Sequence, residues 1–126
     1  MQVQTFTLGT GSYLLQAAAV RCGADLAVII GGGEKQHIGA TAVGVPRPSL
    51  QDANVVSASA SVLCLTGHKD DLLARQAALQ LAAQVGHTVT VTVGLHIDAA
   101  STAAIAQLEA NFTALLQQIS LWAGSK

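Results

Sequence analysis

The chain has 126 residues, 51% of them hydrophobic and only 10% charged, with a net charge of −1. That length suits a single domain spanning 1–126 with a core of its own. The charge content is far below the roughly 25% of an average domain, so part of the surface is expected to be covered by a partner or a second copy. The absence of a basic stripe or aromatic ladder argues against nucleic acid as a ligand. Apolar runs fall well short of the about 20 residues needed to cross a bilayer, and MQVQTFTLGTGS lacks the pattern of a signal peptide, so a cytoplasmic protein with no membrane partner is expected.

In chain order, VQTFTL reads as a strand, GTGS as a hairpin-like turn and YLLQAAAVRCG as a second strand held between tight turns. ADLAVIIGGG is a short continuous apolar run, the pattern of a strand buried on both faces. HIGATAVGV then alternates, with His37, Gly39 and Thr41 on one side, and is expected to stop at Pro46 and Pro48. VVSASASVLCL puts Ser57, Ser59 and Ser61 on one face, and HTVTVTVGLHI does the same with Thr88, Thr90 and Thr92. Between these two lies a helix from about Lys69 to Val85, with an apolar stripe of Ala74, Ala78, Leu81 and Val85. A second helix runs from about Ala99 to Trp122, where Ile105, Leu108, Phe112, Leu115, Ile119 and Trp122 recur at helical spacing. Asp98 or Ser101 is placed to cap it, and Gly124 follows its end. Cys22 and Cys64 have no metal-type spacing and read as buried small apolar residues. The fold class is α/β or α+β, a mixed sheet of five or six strands packed with two long helices.

Three polar clusters are left once the core is assigned: GGGEKQH at 31–37, TGHKDD at 66–71 and GLHID at 94–98. Each sits at a strand end, where open sheets bind ligands. An anion site is one reading, since a glycine loop and a helix start both offer N–H groups, with Lys35, Lys69, His37 and His68 to complete it. Neither G-x-x-x-x-G-K-[ST] nor G-x-G-x-x-G occurs, and Asp70 and Asp71 already satisfy the helix dipole and would repel phosphate. A metal is a second reading, from Glu34, His37, His68, His96 and Asp98, although no local ligand spacing supports it. Catalysis is a third, but no nucleophile elbow exists and Cys64 lies on an apolar face.

IGGGEKQHIGATAVGVPRPSL, SASASVLCLTGHKDD and GLHIDAAS together resemble the prenylated flavin chaperone-like family, the small D subunits associated with gallate-type decarboxylases. The resemblance covers residues from about 24 to 120. It implies a proteasome-assembly-chaperone-like fold that forms homodimers or higher homo-oligomers. It also implies a non-catalytic accessory role: binding prenylated FMN, or FMN, and helping to deliver it to, or mature, a decarboxylase of aromatic acids. A flavin prenyltransferase would be a further partner. The residues expected to hold the cofactor are Gly31, Gly32, Gly33, Glu34, Lys35, His37, Arg47, His68, Lys69 and His96. Gln36 departs from the family pattern, which implies proline after the lysine. With only four aromatic residues, ring stacking would be limited, which suits weak and transient binding. The rival expectations are a cofactor-independent assembly factor and a small metal-dependent enzyme built on His96 and Asp98.

Overall fold

Six strands and two helices form in the order β1 (Gln2–Leu8), β2 (Leu15–Cys22), β3 (Asp25–Gly33), β4 (Ala40–Pro48), β5 (Val56–Cys64), α1 (Asp70–Val85), β6 (Val89–His96) and α2 (Thr102–Gly124). They belong to a computed structural model that describes residues 1–65 and 69–125. A left-handed Gly86, φ 72°, ends α1, and the Ser101 hydroxyl accepts from the Ala104 amide to open α2.

The strands make one sheet in the order β1-β2-β3-β6-β4-β5. Neighbours are antiparallel except β3 and β6, which are parallel. The last strand of the chain is therefore inserted between β3 and β4, two strands that are consecutive in sequence. The connection from β3 to β4 must cross the carboxyl end of β6, and this crossing builds the site described below.

Both helices cover the same face of the sheet, α1 over β4, β5 and β6, and α2 over β1 and β2. The hidden face carries Leu15, Ala17, Ala19, Leu26, Val28, Ile30, Ala40, Ala42, Val89, Val91 and Val93, all buried. The two helices meet it differently. Under α1 the contact is made by small residues, Ala74, Ala77, Ala78 and Ala82 against Ala40, Ala42 and Ala58, so the helix backbone lies close to the sheet. Under α2 the gap is filled by Phe112, Leu115, Leu116 and Ile119.

The other face looks away from both helices. One row across it runs Thr5, Ala18, Ile29, Thr92, Thr41, Leu63, and the next runs Val3, Val20, Ala27, Thr90, Val43, Ser61. Neither row contains a charged side chain. Ile29 is 59% exposed and Leu63 73%. The expectation that β3 is buried on both faces is thus corrected: Leu26, Val28 and Ile30 point into the core while Ile29 lies on the bare face.

Three further expectations change. His37 to Gly39 belong to the crossing loop, and β4 begins only at Ala40. Pro46 and Pro48 do not stop β4. Its pairing with β6 ends at Gly44 opposite Val89, so both prolines lie where one side of the strand has no neighbour awaiting an N–H. Cys22 and Cys64 are exposed at strand ends and form no disulfide with each other.

The close fit of α1 gives the first prediction. Ala78→Leu adds bulk where the helix already touches β4, and overpacking of this kind costs about 1–3 kcal/mol. The expected outcome is a lower urea midpoint with an unchanged m-value, read by circular dichroism.

Candidate functional site

The loop from Glu34 to Gly39 crosses the end of β6 and is stitched to it by backbone bonds. The Glu34 amide donates to the His96 carbonyl at 2.7 Å and the Gly39 amide to the Val93 carbonyl at 3.0 Å. Gly94 lies directly beneath the loop, and a Cβ there would overlap the His37 carbonyl. Gly39 meets the first residue of α1 in the same way, since a Cβ would overlap the Asp70 carboxylate. At both positions glycine is required by close approach.

Asp70 ties the pieces together. It is only 3% exposed. Its Oδ1 accepts from the Leu95 amide at 3.1 Å, and its Oδ2 lies 3.3 Å from His37 Nε2. Among the described residues, that Oδ2 and His37 Nδ1 are buried without a hydrogen-bond partner. The His96 ring stands edge-on to His37, with centroids 6.3 Å apart, and its Nε2 lies 2.6 Å from Asp98 Oδ1. Three segments distant in sequence thus place two imidazoles and two carboxylates at one end of the sheet.

A cavity of about 620 Å³ opens beside this cluster, between the first turns of α1 and α2. Leu72, Leu73, Leu95, Ile105, Leu108 and Phe112 give it apolar walls, and Lys69, Asp70, His96, Asp98 and Glu109 supply its charged and polar groups. Its size falls in the range of about 300–1,000 Å³ usual for small-molecule sites. A second hollow lies on the bare sheet face, lined in part by Gly31, Gln36 and His37.

The ten residues expected at the site are distributed as follows. Gly33, His37 and His96 come together at the crossing, and Lys69 and His96 line the cavity. Gly31, Gly32 and Gly33 are the last residues of β3, and the space where side chains would stand is taken by Gln36, by Leu14 and Leu15, and by the His96 backbone. Glu34 and Lys35 are exposed on the outer side of the loop and are not part of the cavity lining. Arg47 is not brought to the cluster. It sits seven residues along β4 from Ala40, about 23 Å at about 3.3 Å per residue, and donates to the Ser59 hydroxyl and the Pro48 carbonyl. His68 lies outside the described residues.

No group of three or more metal-ligating side chains occurs among the described residues. His96 and Asp98, the pair on which the metal-dependent alternative would be built, are in contact with each other.

Sequence reasoning missed the cavity walls. Ile105, Leu108 and Phe112 read as ordinary core stripe, and only Leu72 carried a signal, being a large apolar residue off the buried stripe of α1 and 62% exposed. It also missed Asp70 as the partner of His37, because the acid reads equally well as part of a helix start.

With the geometry in place, the comparisons with known proteins are informative. The model of the prenylated flavin chaperone LpdD-like domain matches residues 9–124. The chain belongs to this family. Protein LpdD of Lactiplantibacillus plantarum (strain ATCC BAA-793 / NCIMB 8826 / WCFS1) is 27% identical over 120 residues, covering 94% of this chain and 83% of that protein. A chain from the crystal structure of a chaperone complex for yeast 20S proteasome assembly superposes with a TM-score of 0.54 at 16% identity, covering 94% of this chain and 93% of that one. At that identity the likeness concerns the fold alone. It agrees with the mixed sheet and two helices expected of this family. The crossing loop, the α1 start and the β6 end all fall inside the family match.

The Asp70 side chain is the bond that closes the crossing. In Asp70→Ala the Leu95 amide loses its acceptor, and an unsatisfied buried donor costs about 1–3 kcal/mol. The expected outcome is a lowered melting temperature with faster hydrogen exchange at Leu95, while amides near Val28 keep their protection relative to the new global stability.

Proposed function

We propose that this protein is an accessory chaperone that binds prenylated FMN and assists its delivery to, or the maturation of, a prenylated-FMN-dependent decarboxylase of aromatic acids. Such a partner would use the modified flavin to decarboxylate aromatic acids reversibly. The observation that carries the reading is the cavity beside the His37–Asp70 cluster, in a chain matched to the family over nearly its whole length. A prenylated flavin presents a flat ring system enlarged by an isoprenoid unit. The apolar walls from α1, β6 and α2 fit that part of it in size and chemistry. His96 and Lys69, which line the cavity, are the residues of this chain assigned to its polar edge. Few aromatic groups are available to stack on the ring, so binding is expected to be weak enough for release. The setting is cytoplasmic, and a flavin prenyltransferase is the expected source of the cofactor.

The test is a titration of the purified protein with prenylated FMN, followed by flavin absorbance and calorimetry. Saturable binding is expected, weakened several-fold in His96→Ala. No binding of any flavin form would overturn the reading.

A second reading, a cofactor-independent assembly factor, is favoured by the bare sheet face. Two rows of Thr, Ser, Ala, Val, Ile and Leu without a charge suit burial against a similar surface. Six strands of seven to nine residues give a footprint of roughly 29 Å by roughly 26 Å, or roughly 750 Å² per copy, against about 800 Å² per partner in a standard interface. We assign this face to a second copy of the chain, an assignment that holds under either reading. Placing aspartates at Ile29 and Leu63 together is expected to convert the dimer to monomer in light scattering without loss of helical signal. Persistence of the dimer would move the interface elsewhere. Capture of the decarboxylase with and without flavin separates the readings: equal capture by a cavity-blocked variant favours assembly alone.

A further inference from the structure

Resting on the flavin reading above, we propose that the cavity takes the ring and isoprenoid end of the cofactor and leaves its phosphate in solvent. Three independent observations converge on this orientation.

The first is charge. Among the described residues, the lining carries Asp70, Asp98 and Glu109 against the single ammonium of Lys69. Asp70 is buried, and its Oδ2, 3.3 Å from His37 Nε2, makes no hydrogen bond among the described residues. A buried carboxylate of this kind disfavours an anion beside it. A phosphate dianion entering this cavity would meet an excess of negative charge in a partly apolar setting, where repulsion is poorly screened.

The second is the fate of the backbone amides. A phosphate cradle needs several free N–H groups converging on one point. The glycine run supplies none. Gly31 and Gly32 are paired between β2 and β6, the Gly33 amide donates to the Leu14 carbonyl at 3.0 Å, and the Glu34 amide is spent on His96. The glycines serve the close passage of strand and loop rather than an anion.

The third concerns the helix starts. Asp70 and Asp71 occupy the first turn of α1 with negative charge. At α2 the Ser101 hydroxyl takes the Ala104 amide, and Thr102 and Ala103, whose amides come first in the helix, lie outside the cavity lining. Asp98 adds a further carboxylate just before that helix. Arg47, which might have been recruited to an anion, is engaged at the far end of β4.

A phosphate left outside is available to the receiving enzyme while the reactive ring is still sheltered. Transfer can then begin with phosphate capture by the acceptor and finish with withdrawal of the ring, so the cofactor need not pass through bulk water. No covalent step is involved.

The experiment compares the full-length protein's affinity, by calorimetry, for prenylated FMN and for the same compound after phosphatase treatment. The expected result is a pair of dissociation constants within about threefold of each other, less than half of the 1.4 kcal/mol that corresponds to a factor of ten. Both are expected to be lost in Ile105→Trp, which fills the cavity from α2, with Leu73→Trp as a second blocking variant should the first fail to fold by circular dichroism. A larger preference for the phosphorylated form, or retention of binding in a folded blocked variant, would overturn the proposed orientation while leaving flavin binding intact. If neither form binds the unaltered protein, the flavin reading itself falls, and the orientation falls with it.

Discussion

Everything distinctive about this molecule follows from one crossing. β6 is made last but lies between β3 and β4, so the six residues that join those two strands must pass over its carboxyl end. There is no room at that point for a side chain on Gly94, nor on Gly39 where the loop meets α1. The passage is held by main-chain bonds from Glu34 and Gly39, and it is fastened from the helix side by Asp70, which accepts from Leu95 and faces His37. Remove the crossing and three things separate at once: the amino end of α1 from the sheet end, His37 from His96, and the floor of the cavity from its rim. A strand insertion of this kind has a folding consequence as well. The β3–β6 and β4–β6 pairings join residues far apart in sequence, and non-local pairing of this kind slows folding.

The sheet's two faces divide the labour. The helix-covered face builds stability from Val, Ile and Leu under α2 and from a close alanine contact under α1. The bare face builds none within one chain. Its exposed Ile29, Val43, Val45 and Leu63 would be a liability on a monomer, and its hydroxyl rows, including the Thr41–Thr92 pair at 3.0 Å, can satisfy themselves without water. Low charge, which stood out in composition, is concentrated in effect here: the rows that cross the middle of the sheet hold no ionisable group at all. Glu34, Lys35, Lys69, Asp70 and Asp71 lie instead at the crossing and at the start of α1.

Much of this was legible in the sequence, for a physical reason. Strand faces are set by strict alternation, so Thr88, Thr90 and Thr92 and Ser57, Ser59 and Ser61 declared their side before any pairing was known. The 3.6-residue recurrence from Ile105 to Trp122 did the same for α2. What alternation does not carry is neighbourhood. Ile29 sits in an unbroken apolar run, and only the absence of a helix above it shows that the run is half exposed. His37 continues the alternating pattern of HIGATAVGV, yet it lies in a loop because the strand order demands a crossing there. Pro46 and Pro48 looked like terminators because their missing N–H matters in a paired strand; they are tolerated because β6 begins at Val89, opposite Gly44, and does not extend beside them. At the site, the histidines and the lysine were visible as polar residues at strand ends. The buried contact between His37 and Asp70 was not, since it joins residues 33 positions apart through a fold the composition does not encode.

The same logic explains why a glycine run resembling a phosphate loop has another use. A phosphate loop works because its amides are unpaired and converge. Here the strand continues through Gly31 and Gly32, and each amide that a ligand might have used already has a carbonyl partner. Glycine is selected by what presses against it: Gln36 on one side, the Leu14 and Leu15 turn on the other, and the His96 carbonyl at the end. Close protein-protein approach and close ligand approach leave the same mark in a sequence. They part company only in the accounting of hydrogen bonds, where every donor spent on the fold is one withheld from an anion. In this chain that accounting assigns the glycines to architecture and leaves molecular recognition to the apolar cavity and its acidic, imidazole-bearing rim.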